Sequence, residues 1–283
     1  MTPDEMREAT QVDSAAPSAP ADIAPLLARI RDQQRLLQQQ NDELRRAEGL
    51  RQEFSANVSH EMKTPLQVIS GYAEMMANGM VDPDDVPRFA GKIYAESQRL
   101  RALINDVLTL SRLDEPAAAV EHEPVDLAAL AERIIERLAP VAQEAGVSVL
   151  LDGAGATVEG SAPLLEQAVS NLIENAIRYN HPGGSVEVEV GCEAAIASEA
   201  SPSAEPRCAS VQVRDTGLGI ARADREKIFE RFYRTDKSRS KETGGTGLGL
   251  AIVKHAALYH GGDVSVDSEL GRGSTFTLRI PMR

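Results

Sequence analysis

The chain has 283 residues, 42% of them hydrophobic, and a formal net charge of −13. That length holds one large domain or two modest ones, and the acidic balance excludes the basic stripe with which nucleic-acid binders neutralise phosphates. No apolar run approaches the roughly 18 residues of a membrane span, the first residues lack a signal peptide's apolar stretch, and two cysteines suit a reducing, cytoplasmic setting; any membrane link is expected to lie in a segment outside this chain.

Residues 1–22, rich in Ala, Pro, Ser and Asp, predict a disordered tail. From Ile23 a polar helix over 23–50 carries Ile23, Leu26, Ile30, Leu37 and Leu44 near a seven-residue repeat. That is either a weak coiled coil or a solvated linker helix. Through 51–115 two amphipathic helices are expected. The first presents Phe54, Val58, Met62, Pro65, Ile69, Tyr72 and Met76 within an arc of roughly 80°, leaving His60 on the outer face. Pro65 removes a backbone donor and is expected to kink it. After the breaks at Asn78-Gly79 and Asp82-Pro83, the second carries Phe89, Ile93, Leu100, Leu103, Ile104, Val107 and Leu110. Such a hairpin buries little alone, so pairing into a four-helix bundle is the expected remedy.

A Pro-, Ala- and Glu-rich linker is read up to Pro124, and over 124–283 the pattern turns mixed α/β. Helices are predicted at 127–144 and 163–179, and strands at 147–151, 185–190, 210–214, 264–267 and 275–280. This order implies an α/β sandwich with helices on one face of the sheet. An insert near 192–207 extends a hairpin loop, and Cys192 and Cys208 flank it as two thiols.

Four blocks carry chemistry. On the helix at 163–179, Asn171, Glu174, Asn175 and Arg178 share the face opposite Leu165, Val169, Leu172 and Ile173. A solvated face is the plain reading, but Asn disfavours a helix interior. Two Asn one turn apart, with Arg178, suit phosphates and Mg²⁺, a cation that takes oxygen ligands. Asp215 follows a strand and precedes Gly217 and Gly219; it is either an ordinary Asp-x-Gly turn or a carboxylate for an exocyclic amine such as that of adenine. Arg231, Arg234, Lys237, Arg239 and Lys241 form a basic stretch, either a loop or a charge counterweight to a triphosphate. Gly244-Gly245-Thr246-Gly247-Leu248-Gly249 opens a helix, whose N–H groups favour phosphate. No Walker Lys follows it, and no strand precedes it as a dinucleotide fingerprint requires. His60 alone would be one more surface histidine. Beside it, Glu61 can accept the Nδ1–H and leave Nε2 free to attack, and Thr64 lies one turn on.

Taken together, these blocks resemble the H, N, first glycine, F (229–234) and second glycine boxes of sensor histidine kinases of two-component systems, over about residues 44–281. Within that family, 54–61 is similar to the phosphate-regulon sensors. The resemblance implies a dimeric helical hairpin followed by a Bergerat-type ATP-binding domain, ATP and Mg²⁺ as ligands, and a homodimer. It implies that His60 takes the γ-phosphoryl group and passes it to an Asp on a response regulator receiver domain. By motif, Glu61 is the implied general base and Thr64 serves phosphatase activity. Asn171 and Asn175 lie at the Mg²⁺–phosphate site, Asn175 as direct ligand. Arg178 meets phosphate, Tyr179 packs on adenine, Asp215 binds its amine, Arg234 reaches the γ-phosphate, and Gly245, Thr246, Gly247, Leu248 and Gly249 shape the lid's end. Family members usually carry a sensor segment before the hairpin, so the signal is not legible here.

Overall fold

The computed structural model describes residues 23–113, 122–153, 155–194, 207–235 and 245–282. The expected tail at 1–22, most of the linker, the body of the insert, Gly244 and the basic positions Lys237, Arg239 and Lys241 lie outside the described residues. The chain divides into two compact units at Ala56 and Asn57. Every described residue of the first unit belongs to helix α1 (Ile23–Ala77). Two of its seam leucines, Leu37 and Leu44, are exposed in a single copy.

The second unit begins with the rest of α1, which continues through a buried Pro65. A turn at Pro83–Asp85 leads to α2 (Val86–Leu113). Tyr72 and Phe89 meet edge to face at 5.2 Å, with the Lys92 ammonium 5.1 Å from the Tyr72 ring, which pins the two helices near the turn. Of the apolar residues on α2, Leu103 and Leu110 are buried.

The α/β part starts earlier than the sequence suggested. Pro124, read as linker, already lies in β1 (Glu123–Asp126), which pairs antiparallel with an unanticipated β3 (Thr157–Gly160). Four-residue strands containing Pro or Gly are too short for an alternation to show. Asp126 then caps α3 (Leu127–Ala145), accepting from the N–H groups of Ala128 and Ala129 at 2.9 and 3.2 Å. Gly146, left-handed at φ 67°, ends it.

The main sheet has the order β2 (Ser148–Gly153), β4 (Ser185–Ala194), β5 (Arg207–Asp215), β7 (Gly273–Pro281), β6 (Asp263–Glu269). Only the β2–β4 pair is parallel. Register aligns Val188, Val213 and Phe276 in one inner row and Val190, Val211 and Leu278 in the next. These rows pack against α3, α4 (Ala162–Arg178) and α5 (Gly249–Tyr259), whose buried Leu130, Ile134, Leu165, Leu172, Ile173 and Val253 complete the core. The expected helical hairpin followed by an α/β sandwich is thus present. Cys192 faces Ala209 and Cys208 faces Glu193, so the two cysteines sit on opposite faces of the hairpin.

Candidate active site

Strand parity decides where Asp215 points. Ala209, Val211 and Val213 face the helices, and Asp215 is the next residue of that set. It therefore stands in one row with Val186 and Ser274, under the C-terminal end of α4. Asp215 is 8% exposed, and its carboxylate accepts the Gly217 N–H at 2.8 Å and the Ser274 N–H. Burial pushes its pKa up, and the two donors pull partly against that. Gly217 is there for space: a Cβ would collide with the Tyr179 carbonyl oxygen, the acceptor for the Leu218 N–H.

The two faces of α4 split as the sequence implied. Leu165, Ala168, Val169, Leu172, Ile173 and Ala176 are buried. Asn171, Glu174, Asn175 and Arg178 line a cavity of 660 Å³ together with Tyr179, Asp215 and Gly219. The Asn171 amide donates to the Gly249 carbonyl at 3.1 Å, which turns its oxygen away from that group. Across the cavity run Gly245, Thr246, Gly247 and Gly249, leading into α5. Gly247 has φ 74°, and its carbonyl accepts the Phe232 N–H at 2.9 Å; Phe232 itself is left-handed at φ 62°. Leu248 is fully buried as the cap of α5, holding the Gly-rich turn to the core rather than facing the cavity.

Arg234 borders the same space. Burial lowers its pKa, while Glu61 on α1 raises it and Arg178 lowers it. Glu61, next to His60, is therefore within electrostatic reach of the cavity's arginine. His60 itself is exposed on α1, as the helical arc required. The Thr64 hydroxyl donates to the His60 carbonyl at 3.3 Å, holding it one turn along the helix. Tyr233, also on the cavity, donates to Asp224 at 2.7 Å, and this bond raises its pKa.

The residues suit a purine nucleotide. A buried carboxylate supplies the acceptor for an amine, the half-open Tyr179 ring offers a stacking surface, and two amide-bearing Asn with Arg178 and Arg234 match a polyphosphate. One lining group was not anticipated: Asp106 on α2, with Ala102 and Asn105, closes the cavity from the hairpin side. Nothing local marks it, since an Asp on an exposed helix is ordinary.

Comparison with known proteins agrees with this geometry. Residues 50–116 match the His Kinase A (phospho-acceptor) domain, and residues 160–283 match the histidine kinase-, DNA gyrase B- and HSP90-like ATPase family. The sensor-like histidine kinase SenX3 of Mycolicibacterium smegmatis is 41% identical over 239 residues, covering 83% of this chain and 59% of that protein. The sensor histidine kinase WalK of Bacillus subtilis is 36% identical over 82% of this chain and 37% of its own length. The chain thus spans little more than half of SenX3, and less of WalK. Among solved structures, the histidine kinase AdeS of Acinetobacter baumannii superposes with a TM-score of 0.61 at 25% identity, over 79% of this chain and 98% of that one. With a phospho-acceptor domain followed by an ATPase domain of this type, and with these relatives, the chain belongs to the sensor histidine kinases.

Proposed function

We propose that the chain is an ATP-dependent protein-histidine kinase that phosphorylates His60 and passes the phosphoryl group to an Asp of a response regulator receiver domain. The observation that carries this is a pairing within one compact unit. An exposed His60 stands on the hairpin, and a 660 Å³ cavity joins Asn175 and Asp215 to a glycine-rich helix start.

In this reading Asp215 accepts from the adenine amine, and Tyr179 covers the ring. Gly217 and Gly219, lacking a Cβ, let the backbone beside Asp215 pass close to the Tyr179 and Glu269 carbonyls. Asn171 and Asn175 face the phosphates, and Arg178 and Arg234 balance their charge. The Asn175 amide oxygen would help hold Mg²⁺, which would supply neutralisation of the phosphate oxygens on which charge builds. The Nε2 lone pair of His60 forms the bond to the γ-phosphorus, the bond to the β–γ bridging oxygen breaks, and ADP leaves with that electron pair. Glu61 takes the Nδ1 proton, leaving a neutral imidazole ring that carries the anionic phosphoryl group. Arg234, already under the influence of Glu61, spans the two parts of the reaction. Thr64 orients water for dephosphorylating the regulator.

The hairpin supports self-association. A single copy leaves Leu66 and Leu108 more than half exposed, at 55% and 52%. Pairing two hairpins into a four-helix bundle covers such residues. Among the described residues no helix is long and apolar enough to cross a membrane. The need for ATP supports a cytoplasmic place of action.

Incubation with γ-labelled ATP and Mg²⁺ tests the reading. The protein should take an acid-labile, alkali-stable label that is absent from His60→Gln and Asn175→Ala. Thr64→Ala should keep the label and lose regulator dephosphorylation. Label persisting in His60→Gln removes His60 as the acceptor.

A further inference from the structure

Asp106 is a charged group of the cavity, contributed by the hairpin, that this mechanism does not use. Its two carboxylate oxygens are engaged by different elements of the ATP-binding part. Oδ2 accepts from the Thr246 hydroxyl at 2.8 Å, and Oδ1 accepts from the Gln167 amide at 3.3 Å. Gln167 is in turn held by Thr109, one turn along α2, whose hydroxyl donates to it at 3.0 Å. The Thr246 hydroxyl also accepts the Leu248 N–H at 3.2 Å. A backbone donor at the start of α5 is therefore committed, through Thr246, to an anion supplied by the hairpin. The start of a helix is where a phosphate would be received. A carboxylate stands near that place, and Glu174 lies close enough to act on it unfavourably.

We propose that Asp106 is a built-in phosphate mimic, a clasp from the hairpin onto the glycine-rich turn that nucleotide phosphates must displace. The inference rests on the nucleotide reading of the cavity. Its consequence is a coupling. The same bonds tie α2 to α4 and to the turn before α5, so filling the phosphate site frees the hairpin from the ATP-binding part. In turn, a hairpin geometry that strengthens the clasp weakens ATP binding. The charge supplies the competition, since a carboxylate and a polyphosphate repel across a short span of low dielectric.

Calorimetric titration of the full chain with AMP-PNP plus Mg²⁺, and separately with adenosine, tests this. Asp106→Asn keeps the shape of the side chain and removes the charge; Asp106→Ala removes the contact. Both should bind AMP-PNP at least about fivefold more tightly than the wild type, the scale of one unit-charge repulsion at about 4 Å even in bulk water, with adenosine affinity unchanged. Unchanged or weaker AMP-PNP binding by Asp106→Asn overturns the clasp and leaves the nucleotide site standing. Equal gains for adenosine and AMP-PNP also overturn it, because the effect would then lie in cavity shape. Failure of every variant and the wild type to bind AMP-PNP overturns the nucleotide reading as well.

Discussion

Gly219 and Gly271 make a controlled pair of substitutions. Both are left-handed, at φ 66° and 82°. An alanine at either forfeits about 1 kcal/mol for holding an L-residue in that region. They differ in what a methyl group would meet. At Gly271 nothing lies within 4 Å, whereas at Gly219 the Cβ would strike the Glu269 carbonyl oxygen and stand 3.0 Å from the Leu270 Cα. Those atoms are backbone at the β6–β7 turn and cannot rotate aside. Relief requires the turn to move, which strains the 2.7 Å bond from the Gly271 N–H to the Leu218 carbonyl and the 2.8 Å bond from the Ile220 N–H to Ser268. Loosening two such bonds adds about 2 kcal/mol, for a total of about 3 kcal/mol against about 1 at Gly271. At about 2–4 °C per kcal/mol for a chain of this size, scanning calorimetry should show a fall of about 6–12 °C for Gly219→Ala and about 2–4 °C for Gly271→Ala. AMP-PNP affinity should drop only in Gly219→Ala, because Gly219 borders the cavity. Equal midpoints for the two variants would refute the argument that the close approach to Glu269, and not φ alone, requires glycine at 219.

Two further outcomes are expected. Asp215→Asn should weaken AMP-PNP binding by at least about tenfold, the loss of one charge-assisted hydrogen bond, while circular dichroism stays native; undiminished affinity would remove Asp215 from the adenine site. His260 should make the fold sensitive to mild acid. It is buried, donates from Nδ1 to the Ala256 carbonyl at 2.7 Å and accepts the Ser161 N–H at Nε2 at 2.9 Å. Burial lowers its pKa in the folded chain, so the unfolded chain binds the proton first and stability is lost as pH falls below about 6.5. Burial raises the pKa of Asp106 and Asp215, which acts in the opposite sense and is common to the wild type and the His260 variant. Urea unfolding at pH 7.5 and pH 5.5 should therefore show a loss that shrinks in His260→Asn. A loss of the same size in that variant would assign the dependence to another group.

Much of the site was legible because its residues sit on periodic elements. The 3.6-residue repeat on α4 separates Leu172 from Asn171 and Asn175, and the two-residue repeat on β5 carries Asp215 inward with Val211 and Val213. Both follow from counting along the chain, as does the outward face of His60. The glycine positions were legible as turn and loop motifs instead, though that Gly217 makes room for the Tyr179 carbonyl was not. The short strands β1 and β3 escaped because four residues cannot display an alternation, and a proline in one of them reads as linker.

What remained hidden depends on partners distant in the chain. Asp106 lies 140 positions from Thr246, and nothing near it distinguishes it from any solvated helix residue. Its role comes into being only when α2 is laid against α4 and α5. His260 likewise reads as an unremarked histidine until folding brings it to the bare N–H of Ser161. Local spacing along the chain was enough to say which face each helix and strand would bury and which chemistry it would show. The pairing of buried polar groups across elements is a property of packing, because each such group must find a partner wherever the closed core leaves one.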